Sequence, residues 1–175
     1  MNQPEDKSKA AAERLIHAYD RVLQRADQAL GSATTRSETA LSHALDTARE
    51  KAIELGELTR GEADKVHEFV VRDLYDVGRH LATEEREVTD WLRLGALFVE
   101  NELFDRFSGL AQAAKLELKH LEKAKHRFDE WHTGEVTTIG TLRCRSCGEL
   151  VRFERTGHIP PCPKCHATVY ERAKV

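Results

Sequence analysis

Four cysteines, Cys144, Cys147, Cys162 and Cys165, fall in the pattern C-x2-C-x14-C-x2-C near the end of a 175-residue chain. This spacing constrains the local fold more than any other feature. Two cysteines two apart on a tight turn can place both sulfurs on one ion. Two such turns supply a closed tetrahedron with metal–sulfur distances of about 2.3 Å for zinc. Gly148, just after the first pair, suits a turn that bends back with positive φ, and Pro163 stiffens the second turn. The stretches TTIGTLR, GELVRFER and ATVYER around the pairs read as short strands. Three strands pinned by two knuckles make a zinc ribbon. About 40 residues bury too little apolar surface to fold alone. A structural zinc contributes on the order of 10–16 kcal/mol in small peptide modules, enough to decide such a fold.

Other uses of the cysteines meet specific objections. A redox C-x-x-C wants one pair in a βαβ context, and here there are two pairs without that context. A catalytic zinc needs an open position, and four thiolates leave none. Iron of the rubredoxin type would use the same ligands, so ligand type leaves it open. His158 and His166 stand near the cysteines, but the ligand set is complete without them, and both read as surface residues. Arg143, Arg145 and Lys164 flank the cysteines and are expected to offset the charge of a four-thiolate site.

Charge divides the chain near Thr133–Gly134. Residues 1–133 hold 20 Lys/Arg and 26 Asp/Glu, a net charge of -6; residues 134–175 hold 7 and 4, a net charge of +3. The expected organisation is a helical, coiled-coil-like domain over 1–133 and a four-cysteine zinc ribbon over 134–175. At a net charge of -3 the whole molecule has no strong attraction for phosphate. No apolar run approaches the roughly 20 residues that span a bilayer. The start, MNQPEDKSKAAAERL, lacks the apolar core of a secretion signal. A cytoplasmic location with no membrane contact is the expectation, and in a reducing compartment clustered cysteines favour metal over disulfides.

The acidic part reads as helix. Leu15, Tyr19, Val22, Ala26 and Leu30 form one apolar stripe, Leu41, Leu45, Ala48, Ala52 and Leu55 a second, and Val66, Phe69, Val70, Val77 and Leu81 a third. Phe104, Phe107, Ala111, Ala114, Leu118 and Leu121 keep phase through Ser108–Gly109, so one helix is expected there, continuing through Ala124 and Phe128 to Trp131 and closing at Gly134. Gly31 and Gly56 are expected helix ends. Thr35 with Glu38 and Thr59 with Glu62 have the form of capping boxes. Thr83, followed by Glu84 and Glu85, is an expected N-cap for the apolar run containing Val88, Trp91, Leu92, Leu94 and Phe98. Short breaks turn neighbouring helices back on one another. The expected fold class is therefore mainly α: an elongated antiparallel helical hairpin or coiled-coil bundle followed by a small C-terminal β zinc ribbon.

Catalytic signatures are sparse. Asp64–His67 and Glu117–His120 repeat a (D/E)-x-x-H spacing that di-iron bundles use. One member is aspartate, both histidines lie beside the apolar stripe, and charged helices produce this spacing by chance, so solvated faces are the expectation. No glycine-rich phosphate loop or nucleophile elbow occurs, and Trp91 and Trp131 read as core. The expectation is a chain that is not an enzyme and has no small-molecule substrate.

The stretches GELTRGEADKVHEFVVRDL, WHTGEV and GTLRCRSCGEL…IPPCPKCHATVYER resemble the YbeL-like zinc-ribbon proteins of bacteria, over roughly residues 50–175. The resemblance implies a helical N-terminal part and a C-terminal ribbon holding one structural Zn²⁺ per chain; it implies no reaction. His166 departs from it: such ribbons usually carry glycine after the last cysteine, which puts the tightness of the second knuckle, though not the ligand set, in question. Two functions remain. One is a non-enzymatic adaptor or regulator working through a protein partner or self-association. The other is a nucleic-acid-binding ribbon, with Arg143, Arg145, Arg152, Arg155, Lys164 and Arg172 touching phosphate. A modest charge, interspersed glutamates and few aromatics for stacking count against the second.

Overall fold

The computed structural model describes residues 4–32, 39–83, 101–123 and 129–173. Among the described residues, four helices, α1 (Pro4–Ser32), α2 (Ala40–Glu54), α3 (Arg60–Thr83) and α4 (Asn101–Lys123), precede six short strands. The strands are β1 (Trp131–His132), β2 (Val136–Thr137), β3 (Gly140–Cys144), β4 (Leu150–Phe153), β5 (Gly157–His158) and β6 (Val169–Arg172). The chain is thus a helical bundle followed by a small antiparallel ribbon, the fold class expected.

The apolar stripes become the bundle core. Tyr19, Val22 and Ala26 of α1, Leu41, Leu45, Ala48 and Ala52 of α2, Val66, Val70, Val77 and Leu81 of α3, and Phe107, Ala111, Ala114 and Leu121 of α4 are all buried. Leu55 is not; it is the C-cap of α2 and stands exposed. Gly56 follows at φ +67, and its N–H bonds the Ile53 carbonyl at 3.0 Å. The left-handed residue thereby occupies the carbonyls that α2 leaves open. Three residues on, the Thr59 N–H donates to Glu62 at 2.9 Å and the Glu62 N–H donates back to Thr59 Oγ1 at 3.3 Å, a reciprocal capping box that starts α3. This tight link folds α3 back antiparallel on α2, so that Arg49 meets Asp64 and Asp46 faces His67.

α4 runs unbroken through Ser108–Gly109. It approaches α3 closely: a Cβ on Gly78 would lie 2.9 Å from the backbone of Ala114 and Lys115. Gly31 lies inside α1 rather than ending it in a left-handed turn. Thr83 is the last residue of α3. The Thr35–Glu38 box, Glu84 and Glu85, the run from Val88 to Phe98, and Ala124 and Phe128 lie outside the described residues.

The final helix does not carry on to Trp131. Trp131 instead opens β1 and pairs with Tyr170 of β6, and Gly134 (φ +89) forms the turn into β2. Helical phase could not reveal this, because the pairing partner lies across the whole ribbon. The larger sheet has the order β1-β6-β3-β4, and β2 with β5 makes a second, two-stranded sheet. One small core, Trp131, Leu142, Ile159 and Tyr170 with Cys144 and Cys162, lies inside the ribbon. Val136 and Ile139 point the other way and join the core of the helices.

Candidate metal centre

The two cysteine pairs sit on matching turns. Cys144 ends β3, and its N–H bonds the Glu149 carbonyl at 2.8 Å while the Gly148 N–H returns to the Cys144 carbonyl at 2.9 Å. In the second turn the Cys162 N–H bonds the Ala167 carbonyl at 2.9 Å and the His166 N–H returns to Cys162 at 2.9 Å. Both turns need a left-handed residue after the second cysteine: Gly148 has φ 76 and His166 has φ 59. His166 therefore reproduces the glycine geometry, and the second knuckle is as closely bonded as the first.

These turns bring all four sulfurs within 4.8 Å of one another. Across the knuckles, Cys144 Sγ lies 3.6 Å from Cys165 Sγ, and Cys147 Sγ 3.5 Å from Cys162 Sγ. A tetrahedron with metal–sulfur bonds of about 2.3 Å has edges of about 3.8 Å. A disulfide needs about 2.05 Å, and all four cysteines are free. The residues thus fit a four-coordinate, thiophilic ion. Cys144 and Cys162 are buried, Cys147 is half-buried and Cys165 is exposed, so the outer thiol of each pair faces the rim.

Main-chain N–H groups favour the thiolate form at three of the cysteines, although at Cys147 and Cys165 burial and the neighbouring thiols outweigh them and raise the thiol, at Cys147 to about 12. The N–H groups of Lys164 and Cys165 point at Cys162, that of Glu149 at Cys147 and that of Ala167 at Cys165. At Cys162, burial raises the thiol pKa, but the two N–H donors and the neighbouring thiols outweigh it and hold the group at about 7. Tyr170 is buried beneath the cluster, with its hydroxyl on the Pro160 carbonyl at 2.7 Å. Burial, then the nearby sulfur charge, pushes its phenol up to about 12.

The flanking cations do other work than the sequence suggests. Arg143 Nε donates to Glu171 at 2.9 Å, Arg145 meets Glu130 at 2.5 Å, and Lys164 lies 3.9 Å from Glu149. Carboxylates, rather than thiolates, hold these three charges. His158 is turned away from the sulfurs: its ring nitrogens lie 3.0 Å from the Gly134 carbonyl and 2.9 Å from the Ala12 carbonyl of α1.

Asp64, His67 and Glu117 of the helical (D/E)-x-x-H pairs are each engaged elsewhere, and the side chain of His120 lies outside the described residues. Asp64 takes Arg49, and His67 faces Asp46 at 3.3 Å. Glu117 is buried and accepts the N–H groups of Leu41 and Ser42 at 2.5 and 3.0 Å, capping α2 from another helix. Among the described residues, the four cysteines are the only cluster with metal-ligand geometry.

Sequence reasoning overlooked a second cluster, where the ribbon meets α3. Asp73, fully buried, accepts Tyr19 Oη at 2.8 Å, Trp131 Nε1 at 2.9 Å, Thr137 Oγ1 at 2.9 Å and the Thr138 N–H at 3.1 Å. Burial pushes the Asp73 carboxyl up, but Arg72, Arg172 and the Trp131 and Tyr19 donors outweigh that and hold it below the usual range. Arg172 Nε donates to Asp76 at 3.0 Å, and its guanidinium stacks 4.6 Å from the Trp131 ring, which Arg72 also approaches at 5.0 Å. Arg172 is consequently buried and does not stand on a phosphate-facing surface. A signal did exist: Asp73 falls in phase with Val66, Phe69 and Val77, a carboxylate inside an apolar stripe.

The profile of a family described as a zinc-ribbon containing domain, DUF1451, matches residues 28–174, helices as well as ribbon. The chain is 26% identical over 128 residues to an uncharacterised protein, YbeL, of Escherichia coli K12, covering 73% of this chain and 79% of that protein. YbeL of Escherichia coli O157:H7 matches to the same extent. No solved structure matches. With more than half its length matched and four free cysteines brought together at the predicted turns, the chain belongs to the zinc-ribbon containing domain family.

Proposed function

We propose that this is a non-enzymatic protein in which one structural Zn²⁺, held by Cys144, Cys147, Cys162 and Cys165, keeps the ribbon folded, and that it acts as an adaptor or regulator through protein contacts. One observation carries the second half of this reading. Four of the six Lys/Arg among the described ribbon residues are already matched by the protein's own carboxylates: Arg143 by Glu171, Arg145 by Glu130, Lys164 by Glu149 at 3.9 Å, and Arg172 by Asp76. Little is left to attract phosphate, whose binding depends on unneutralised cations. A set of four thiolates also fills the metal's coordination sphere, leaving no position for substrate or water.

The nucleic-acid reading keeps one support. Arg152 and Arg155 are exposed and, among the described residues, make no ion pair. Titrating the full chain into labelled single- and double-stranded oligonucleotides across a range of salt separates the two. The adaptor reading expects weak binding that disappears by physiological salt, and protein partners captured from lysate that persist after nuclease treatment. Tight binding with a steep salt slope, weakened by Arg152→Ala and Arg155→Ala, would overturn it in favour of the nucleic-acid reading. Metal content is checked on the same sample: one zinc per chain is expected, and none would remove the clamp.

A further inference from the structure

The contact between ribbon and bundle is chemically unusual for a docking surface, because its centre is a buried charge. Of the groups that donate hydrogen bonds to Asp73, Trp131 Nε1, Thr137 Oγ1 and the Thr138 N–H all come from the ribbon. Arg172, also from the ribbon, reaches both Asp73 (3.6 Å) and Asp76 (3.0 Å). A second bond ties the ribbon to α1, from Thr156 to Asp20 at 2.5 Å. A carboxylate as deeply buried as Asp73 is tolerable only while these partners are in place, since an uncompensated buried charge is strongly destabilising.

The metal cluster is joined to this charge by the sheet itself. Trp131 pairs with Tyr170, and Tyr170 pairs with Cys144, so the Asp73-bound tryptophan and a metal-ligating cysteine lie in one row across β1, β6 and β3. Arg172 stands two residues beyond Tyr170 on the same central strand. Ribbon order therefore positions Trp131 and Arg172 against Asp73, while Thr137, in the smaller β2–β5 sheet, and Thr138, just after it, reach it from that side. Modules of this size depend on their metal for folding.

We propose that metal occupancy of the four-cysteine clamp is coupled to helix α3 through Asp73, making the chain a two-state, metal-responsive switch. With a soft divalent cation bound, the ribbon is ordered and seals Asp73, Asp76 and Arg72 against solvent. Without it, the ribbon loosens and the charged face of α3 around these residues opens to water and to partners. The coupling is reciprocal: whatever weakens the Asp73 contacts weakens metal binding by the same factor. This inference rests on the reading that the clamp holds metal, and the experiment separates the two.

Full-length protein is saturated with Zn²⁺, its zinc content is measured, and the metal is then removed with a chelator. Amide hydrogen exchange is followed over α3 and the Trp131 indole N–H resonance is tracked by NMR. Metal removal should accelerate exchange around Arg72–Val77 at least tenfold and shift the Trp131 indole signal. Asp73→Asn should weaken zinc affinity in chelator competition by roughly 5- to 150-fold, the usual range of such coupling. Thr137→Val, which removes one donor and leaves the carboxylate, should fold and show a smaller loss in the same direction. A protein that binds one zinc yet shows unchanged α3 exchange on chelation overturns the coupling. So does zinc affinity within twofold of wild type in both Asp73→Asn and Thr137→Val. Absence of bound zinc at the outset overturns the clamp itself, before α3 is measured.

Discussion

His166 takes the same place in the second cysteine turn that Gly148 takes in the first, at φ 59 against φ 76, with the same N–H bond back to the first cysteine of its pair. A side chain with a β-carbon sits here in backbone space that costs roughly 1–2 kcal/mol outside glycine. His166→Gly should accordingly stabilise the ribbon by about 1 kcal/mol, read as greater resistance to zinc loss in a chelator titration. Gly148→Ala should do the reverse by a similar amount. Nothing lies within 4 Å of a Cβ at Gly148, so the loss would report backbone strain alone. Equal chelator resistance in all three proteins would show that these turns relax freely.

Glu117 replaces a local cap on α2. The N-cap residue, Thr39, makes no side-chain cap hydrogen bond, and the Glu117 carboxylate reaches in from α4 to take the free N–H groups and the Ser42 hydroxyl. Negative charge at a helix N-terminus is favourable. Glu117→Ala should cost about 1–3 kcal/mol by leaving buried donors unmet, measured as a lower urea midpoint. Glu117→Gln keeps an acceptor and should lose less. A loss no greater than that of an exposed-site control such as Glu102→Ala would refute the capping role.

Gly78 sets the distance between α3 and α4. Alanine there would bring a methyl to 2.9 Å from the backbone of Ala114 and Lys115, which cannot rotate away. Gly78→Ala should destabilise by about 1–3 kcal/mol, and Ala114→Gly should not rescue it, because the clash is with main chain. Gly61, on the same helix with open space around it, should behave oppositely: Gly61→Ala should gain about 0.5–1 kcal/mol from reduced chain entropy. The pair is compared by thermal unfolding.

Burial pushes the His67 imidazole below its ordinary range, more than Asp46 can pull it back. A histidine with a depressed folded pKa is protonated more readily in the unfolded chain. Its contribution to stability is complete above pH ~6.5, the unfolded value, and falls as pH drops below it. Urea unfolding at pH 7.5 and 5.5 should therefore show a larger acid loss in wild type than in His67→Gln. Parallel losses would mean that His67 does not titrate differently in the fold. Protonation of the cysteines on acidification is common to both proteins and cancels in the comparison.

Local signals in the sequence carried far. The C-x2-C turns, the Gly56 end of α2, the Thr59–Glu62 box and the continuity of α4 across Ser108–Gly109 all depend on residues within a few positions of one another. Backbone geometry fixes their relation before any tertiary contact forms. Where local signals failed, the partner lay elsewhere. Leu55 fits the stripe of α2 by count, but Gly56 ends the helix first. Trp131 fits the phase of α4, but Tyr170 recruits it into a sheet.

By itself, then, the sequence determined the helical stripes and the cysteine spacing, because helical period and turn geometry are short-range. The tertiary structure alone decided that Tyr19 and Asp73, 54 positions apart, share a hydrogen bond, and that Thr156 reaches Asp20 across 136. It also turned Glu117 from a candidate ligand into a cap and Arg172 from a candidate phosphate contact into the buried counterion of α3. A charged residue reads as solvated surface until its partner is known. Burial in this fold is tolerated because the compensating donors arrive from distant strands, and no local spacing encodes that meeting.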